Sequence, residues 1–174
     1  MHVIRKATKE DVAGAAACYE ALFDKEDIYG TTTHWKRGVY PTYETARVSE
    51  EQGILFVYER DGEILASMRI NHEQNEAYAL GNWKYPAEGE EVMVIHTLCV
   101  HPKAAGQGIG QEMIAWGCDY GRSIGCKVFR WDTCESNVPA CTLYKKMGHE
   151  VVGVVDTWLE GVIPERLNLY EMPL

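Results

Sequence analysis

The sequence predicts an α/β fold that contains both an antiparallel hairpin and a parallel strand pair. The hairpin follows from Asp61-Gly62, a turn signal inside the β-rich run 54–71. The parallel pair follows from an apolar strand at 92–100, a helical pattern, and a second strand at 127–133. Two parallel strands need a crossover connection between them, and the helix supplies it. The 174 residues fit one domain over 1–174 with its own core.

The other elements follow from capping and turn signals along the chain. Thr8, with Asp11 three residues later, has the capping-box pattern of a helix start, and Gly53, Gly125 and Gly148 stand where helical patterns end. The predicted elements are a strand at 2–7, a helix at 8–24, a loop or broken helix at 25–41, a helix at 42–52, an irregular connection at 72–91, a helix at 107–125, a helix at 137–147, and strands at about 150–157 and 166–172 around a Gly161/Pro164 turn.

Composition and charge argue against several classes of function. The net charge of −9 would repel nucleic acid, and no basic cluster offsets it. No apolar run approaches the roughly 18 residues of a membrane span, and the N-terminus lacks a signal sequence, so we expect no membrane partner and a cytoplasmic location. The six cysteines form no CxxC pair, which predicts reduced, structural thiols. His96 and His101 would point to opposite faces of a strand, and we predict no metal site.

The most informative stretch is Val100–Gly110, "VHPKAAGQGIG", between the apolar strand and a helix. Glycines at a helix N-terminus expose backbone N–H groups that attract a phosphate. A P-loop is excluded because Gln111 and Glu112 stand where Lys and Ser/Thr are required. The dinucleotide fingerprint fails in its spacing, although Asp132 could imitate its ribose-binding acid. A nucleotide-binding oxidoreductase therefore stays an alternative.

The motif "LCVHPKAAGQGIG", followed by "NVPACTLYKKMG", resembles the GNAT superfamily of acyl-CoA-dependent N-acetyltransferases. The resemblance implies a mixed, mostly antiparallel central sheet with flanking helices and one parallel strand pair, where the strands splay and acetyl-CoA enters. It implies direct transfer of the acetyl group from acetyl-CoA to a primary amine of a small molecule or peptide. Two positions depart from the family: Ala105 replaces the usual Arg or Gln, and His149 replaces Phe. We expect weaker CoA affinity, with Lys103 partly replacing the missing charge.

The resemblance also implies roles for individual residues. Tyr144 matches the family's general acid, because a phenol stays protonated at neutral pH and can protonate the departing thiolate. His96 is the predicted base, with a water chain as the alternative. The thiol of Cys99 is expected to pack rather than react. The residues expected to bind the cofactor are Leu98, Cys99, Val100, Ala105, Gly106, Gln107, Gly108, Ile109, Gly110, Asn137, Ala140 and Tyr144.

The acceptor is not specified by any motif. Aromatic residues and carboxylates share the irregular segments, which suits an ammonium-bearing ligand, although loop aromatics also pack structurally. The aromatic residues are Trp35, Tyr40, Trp83, Tyr85 and Trp158. Family analogy allows a homodimer through the terminal strands. A CoA-binding regulatory module without catalysis is a further alternative, and the presence of Tyr144 argues against it.

Overall fold

A computed structural model describes all 174 residues, Met1–Leu174. Its strands and helices in chain order are β1 (His2–Lys6), α1 (Val12–Tyr29), α2 (Tyr43–Glu51), β2 (Leu55–Arg60), β3 (Glu63–Asn71), β4 (Val92–Val100), α3 (Ile109–Ser123), β5 (Val128–Cys134), α4 (Val138–Lys146), β6 (Gly153–Leu159) and β7 (Ile163–Pro173). The strands form a seven-stranded sheet in the order β1-β2-β3-β4-β5-β7-β6. Strands β4 and β5 are its one parallel pair, which confirms the predicted fold class. None of the helices has the length and apolar character needed to cross a membrane.

The chain divides into two compact units, and the first comprises Met1–Thr31, Trp35–Ile70 and Ile95–Gly117. In this unit β1 and β3 flank β2 in antiparallel register. The β2–β3 hairpin turns at the predicted Asp61 and Gly62, whose φ angles of 54° and 82° are those of a type I′ turn. The core of the unit packs α1 against β2 through buried apolar side chains. Its largest members include Tyr19, Phe23, Leu55 and Val57.

The second unit comprises Thr32–His34, Asn71–Val94 and Cys118–Leu174. Strand β7 lies between β5 and β6 and is antiparallel to both. On one face of this sheet, Trp131 stacks on Phe129 at 4.2 Å and on Tyr170 at 5.3 Å between ring centroids. A separate apolar cluster includes Leu167 and Leu169. The strands of this unit are thus covered by aromatic and aliphatic side chains.

A buried ion pair anchors the irregular segment between β3 and β4. Arg130 Nε lies 3.7 Å from Glu171 Oε2, and both side chains are less than a tenth exposed. Arg130 also donates hydrogen bonds to the side chain of Gln74 at 2.8 Å and to the carbonyl of Tyr85 at 3.0 Å. Its guanidinium lies 4.5 Å from the ring centre of Trp83. These contacts tie three residues of the segment to β5 and β7.

The predicted boundaries shift by one to three residues at several elements, and two differences have a clear physical reason. The first helix begins with a single 3-10 turn at Lys9–Asp11 and continues as α1 to Tyr29, so 25–29 is helical and not loop. Asp11 still acts as predicted, because its carboxylate accepts from the amide of Thr8 at 2.7 Å. The last hairpin turns at Glu160 and Gly161, and Pro164 lies within β7. Proline is tolerated there because β5 pairs with β7 only from Leu167 onward.

Candidate functional site

The glycine-rich turn between β4 and α3 owes its shape to two glycines in left-handed backbone conformation. Gly106 has φ of 77° and Gly108 has φ of 83°, a region that side-chain-bearing residues rarely adopt. A Cβ at either position would meet no atom within 4 Å, so the requirement is conformational rather than steric. Both residues are exposed just before α3 begins at Ile109. The turn thus presents backbone to solvent at the positive end of the α3 dipole, which suits an anion.

A second cation, besides the predicted Lys103, contacts this turn. The ammonium of Lys103 is ion-paired with the carboxylate of Glu63, which offsets its charge. Arg60, at the end of β2, instead donates a 2.8 Å hydrogen bond from Nη1 to the side-chain carbonyl of Gln107. Ala105 is exposed and adds no polar group. Arg60 therefore supplies a cation to the turn. Because Arg60 and Gln107 are 47 residues apart, no sequence motif joins them.

The central strand β4 contains a strained residue between two predicted site residues. Thr97 has φ of 52°, which is costly for a β-branched side chain. Its hydroxyl hydrogen-bonds to the hydroxyl of Tyr40, which also accepts from Arg69 Nη1 at 3.4 Å. Thr97 is buried, whereas the flanking His96 and Leu98 are half-buried. The Tyr40–Thr97 hydrogen bond stabilises the left-handed backbone of Thr97, next to His96. Nothing in the sequence signalled this contact.

The thiol of Cys99 is buried in the core of the first unit. It is 2% exposed and donates to the carbonyl of Cys18 at 3.6 Å. Burial raises its pKa well above the usual value for a thiol. Cys99 is therefore not an activated nucleophile, in agreement with the predicted packing role.

Helix α4 carries two of the predicted residues of the second unit. Asn137 caps the helix, and its side-chain carbonyl accepts from the amide of Ala140 at 3.2 Å. Tyr144 packs edge-on against the stacked rings of Trp131 and Tyr170, at centroid distances of 5.5 Å and 5.1 Å. Burial, and then the nearby negative charge of Asp132, raise the pKa of its phenol. Tyr144 is thus held protonated at neutral pH, as a proton donor must be.

A buried tyrosine–carboxylate pair accompanies Tyr144 in the same unit. The hydroxyl of Tyr78 donates a 2.6 Å hydrogen bond to Asp132 Oδ2. Burial raises the pKa of Asp132, and the bond from Tyr78 opposes that rise. The sequence suggested only a ribose-binding role for Asp132, and Tyr78 carried no recognisable signal. Its irregular segment gives no periodicity from which its burial could be predicted.

A cavity of about 480 Å³ opens in the second unit. It is lined by residues from the loop before α2, the end of β5, and strands β6 and β7, and of these residues only Trp158 was considered in the sequence analysis as a candidate for acceptor binding. The lining residues are His34, Cys134, Glu135, Ser136, Asp156, Thr157, Trp158, Pro164, Glu165 and Arg166.

The five aromatic residues considered for acceptor binding have different roles. Trp35 packs edge-on against the buried ring of Tyr40 at 6.0 Å. The indole of Trp83 donates to the carbonyl of Tyr78 at 2.7 Å beneath the guanidinium of Arg130. These contacts show structural packing. Trp158 is 62% exposed and lines the cavity.

The predicted site residues fall into both units. His96, Leu98–Val100 and 105–110 belong to the first unit, and Asn137, Ala140 and Tyr144 belong to the second.

Comparison with known proteins identifies the family. Residues 15–149 match the model of the acetyltransferase (GNAT) family. An uncharacterized N-acetyltransferase of Methanocaldococcus jannaschii is 26% identical over 162 residues, which cover 92% of this chain and 66% of that protein. This chain therefore spans just under two thirds of that relative's length.

Solved structures agree with this assignment at the level of the fold. A GNAT-family acetyltransferase from Streptococcus agalactiae superposes with a TM-score of 0.81 at 20% identity, covering 99% of this chain and 95% of that one. A putative acetyltransferase from Salmonella typhimurium, solved with its cofactor acetyl-CoA, gives a TM-score of 0.68 at 19% identity, with coverage of 99% and 94%. The chain belongs to the acetyltransferase (GNAT) family, which confirms the resemblance inferred from its motifs.

Proposed function

We propose that this protein is an N-acetyltransferase that moves the acetyl group of acetyl-CoA to a primary amine by direct attack. The observation that carries the proposal is Tyr144, at the family's general-acid position, whose phenol is buried edge-on against the rings of Trp131 and Tyr170 and stays protonated at neutral pH. Membership of the family supports the choice of donor. Bound acetyl-CoA would supply the thioester and a thiolate leaving group.

The other predicted site residues would bind the cofactor. Gly106 and Gly108, with the start of α3, would bind the pyrophosphate through backbone N–H groups, and Arg60 would add positive charge. Asn137 and backbone groups of Leu98–Val100 would hold the pantetheine arm. Tyr144 would hold the proton at its hydroxyl until the thiolate leaves.

His96 stays the predicted base, with a water chain as the alternative. Its half-buried position beside the strained Thr97 is compatible with a fixed orientation. The substitution His96→Gln tests this role, because it should flatten the acid limb of the pH–rate profile. An unaltered limb would assign the role to water.

A ligand screen tests the donor, and an acceptor screen tests the reaction. The melting temperature should rise when acetyl-CoA is added and should not rise with NAD, NADP or ATP. Release of free CoA should then appear with amines and not without them. A shift with acetyl-CoA but no CoA release with any amine would favour the regulatory module, whereas a shift with NAD alone would favour an oxidoreductase.

Two finer properties are also proposed. Strand β6 is an edge strand that pairs only with β7, and its Val154 side chain is exposed. Such an edge would suit the predicted homodimer. Light scattering at increasing protein concentration tests whether the dimer forms. We propose the cytoplasm as the location, and fractionation of the source cells tests that.

A further inference from the structure

Arg69, on β3, is a partly buried cation without a counter-charge. Its guanidinium makes one hydrogen bond, which Nη1 donates to the hydroxyl of Tyr40 at 3.4 Å. Its Nε is buried and has no hydrogen-bond partner, and no carboxylate of the chain forms an ion pair with it. The residue as a whole is half-buried, so part of its side chain still reaches solvent. Burial of an unpaired charge costs free energy, and an anionic ligand would offset that cost.

The other arginines show how unusual this position is. Every arginine of the chain except Arg60 and Arg69 forms an ion pair with a carboxylate. Arg60 lies at the glycine turn, where bound acetyl-CoA would supply a phosphate. Arg69 is therefore the one arginine for which neither the chain nor the proposed cofactor provides an anion.

The side chains around Arg69 are hydroxyls, which form hydrogen bonds but carry no charge at neutral pH. The Tyr40 hydroxyl also contacts the hydroxyl of Thr97. Ser67, two residues before Arg69 on the same face of β3, is buried and donates to the hydroxyl of Tyr19 at 3.4 Å. One cation among neutral hydroxyls suits a carboxylate, which accepts hydrogen bonds from both kinds of group.

Arg69 lies on the face of the sheet that α1 covers. In the β2–β3 register Arg69 pairs with Leu55, and Ser67 pairs with Val57. Directly opposed residues on antiparallel strands have their side chains on the same face. Leu55 and Val57 pack in the core cluster that contains the buried side chains of α1. The charge of Arg69 is thus directed toward the layer between the sheet and the helices.

The same hydroxyls connect Arg69 to the strand that is predicted to carry the acyl transfer. The Tyr40 hydroxyl bonds to both Arg69 and Thr97, and Thr97 stands between His96, the predicted base, and Leu98, whose backbone would hold the pantetheine arm. All of these residues belong to the first unit. Strands β3 and β4 are neighbours in the sheet, and neighbouring strands lie about 4.8 Å apart. An acceptor whose anionic group meets Arg69 would therefore have its amine within a few bonds of β4.

We propose that Arg69 binds a carboxylate of the acceptor, so that the substrate is an amino acid or another amine that carries a carboxylate. This inference rests on the proposed function. A guanidinium donates two parallel hydrogen bonds to a carboxylate, which fixes the orientation of the acceptor. The pairing also offsets the negative charge that would otherwise keep the amine protonated, and the amine must be neutral to attack the thioester.

The kinetic test compares L-amino acids with the amines that remain when the carboxyl group is removed. The pairs are alanine with ethylamine, leucine with 3-methylbutylamine, and phenylalanine with 2-phenylethylamine. The wild type should prefer the best amino acid over its amine in kcat/KM by about 10- to 100-fold, the range of a hydrogen bond to a charged group. Arg69→Gln should remove most of this preference through the KM of the amino acid and leave the KM of the amine unchanged. A preference that survives Arg69→Gln, or a preference for the amine in every pair, would overturn the proposal.

Two further variants separate binding from a structural role. Arg47→Gln removes an exposed guanidinium on α2 and should retain the preference. Arg69→Lys keeps the charge but not the planar pair of donors, and it should retain only part of the preference. Because Arg69 has no ion pair to lose, Arg69→Gln should not lower the melting temperature. A lowered melting temperature with an equal loss of activity toward both members of a pair would assign Arg69 a structural role and overturn the proposal.

Calorimetric binding separates this inference from the proposed function. With CoA in place of acetyl-CoA no transfer can occur, and the wild type should bind the best amino acid about 10- to 100-fold more tightly than Arg69→Gln does. Equal affinities would refute the role of Arg69 even if amines are acetylated. Binding that depends on Arg69, without acetylation when acetyl-CoA is supplied, would refute only the proposed function.

A pair of dipeptide amides distinguishes a free amino acid from a peptide as the source of the carboxylate. Alanyl-aspartate amide carries a side-chain carboxylate near its amino group, and alanyl-asparagine amide has the same shape without the charge. A preference for the first that is lost in Arg69→Gln would identify an acidic peptide as the acceptor. If neither an amino acid nor the acidic dipeptide binds to the wild type, the proposal is wrong.

Discussion

The hydroxyl of Tyr78 donates a 2.6 Å hydrogen bond to the buried carboxylate of Asp132. A hydrogen bond to a charged acceptor contributes about 1.5–3 kcal/mol, and its loss leaves the carboxylate unsatisfied. Tyr78→Phe should therefore lower the free energy of unfolding by that amount in urea titrations near neutral pH. Tyr85→Phe is the control, because the Tyr85 ring is 39% exposed and its hydroxyl has no hydrogen bond. Equal stabilities for the two variants would contradict the assigned bond.

The buried pair Arg130–Glu171 predicts a large and specific loss of stability. Arg130→Ala removes the cation and leaves the buried Glu171 carboxylate with only the backbone amide of Lys84 as a partner, which costs about 3–5 kcal/mol. The melting temperature should fall by roughly 6 °C or more in a chain of this length. Arg47→Ala, which breaks two exposed pairs on α2, should change it by no more than about 2 °C. A small effect of Arg130→Ala would mean that the segment between β3 and β4 is held by other contacts.

The sequence predicted those parts of the fold that depend on local signals. The Asp61-Gly62 turn, the Thr42 and Asn137 helix starts, and the β4–α3–β5 crossover all lie where residue patterns put them. The predicted placement of the last turn is wrong because it treats Pro164 as a turn residue. A proline fits within β7 because β5 does not pair with that end of the strand, which the sequence does not show.

The less predictable features depend on residues far apart in the chain. Tyr78 and Asp132 are separated by 54 residues, and Arg60 and Gln107 by 47. The cavity gathers side chains from four segments, and no motif joins them. Such groupings exist only after folding, whereas the glycine turn and Tyr144 stand in contiguous motifs. The single domain expected from chain length and the roles of the site residues stay predictions.

The glycine turn predicts an effect on acetyl-CoA binding that is separable from stability. Gly108→Ala forces a side chain into a left-handed conformation, which costs about 1 kcal/mol or shifts the backbone. We expect the Kd of acetyl-CoA in calorimetry to rise about tenfold, as for the loss of one or two hydrogen bonds.

Gly125→Ala is the matched control, at the other end of α3. Gly125 has φ of 89° and equally open surroundings, so the conformational cost is the same. Both variants should lower the melting temperature by about 2–4 °C. If both weakened acetyl-CoA binding equally, the glycine turn would not be the phosphate site.

Glu165 predicts a pH dependence of stability. Its pKa rises from an ordinary value of 4.5 to about 7 in the folded state, so the folded state binds the proton more tightly between these values. Its contribution to stability is therefore lost as the pH rises through that window. Glu165→Gln should raise the melting temperature at pH 8 by about 2–4 °C, after discounting for partial exposure, and have little effect at pH 5. An equal change in melting temperature at pH 5 and pH 8 would mean that another group titrates in this range. The control Glu160→Gln should not change the melting temperature at either pH.

The central claim is that this chain transfers an acetyl group from acetyl-CoA to an amine with Tyr144 as the proton donor. It is tested most directly by mass spectrometry of the products formed from isotopically labelled acetyl-CoA and a panel of primary amines. The wild type should yield the labelled amide, and Tyr144→Phe should form it about 100-fold more slowly, the size of a general-acid contribution. Absence of labelled amide with every amine tried, or an unchanged rate in Tyr144→Phe, would contradict the claim.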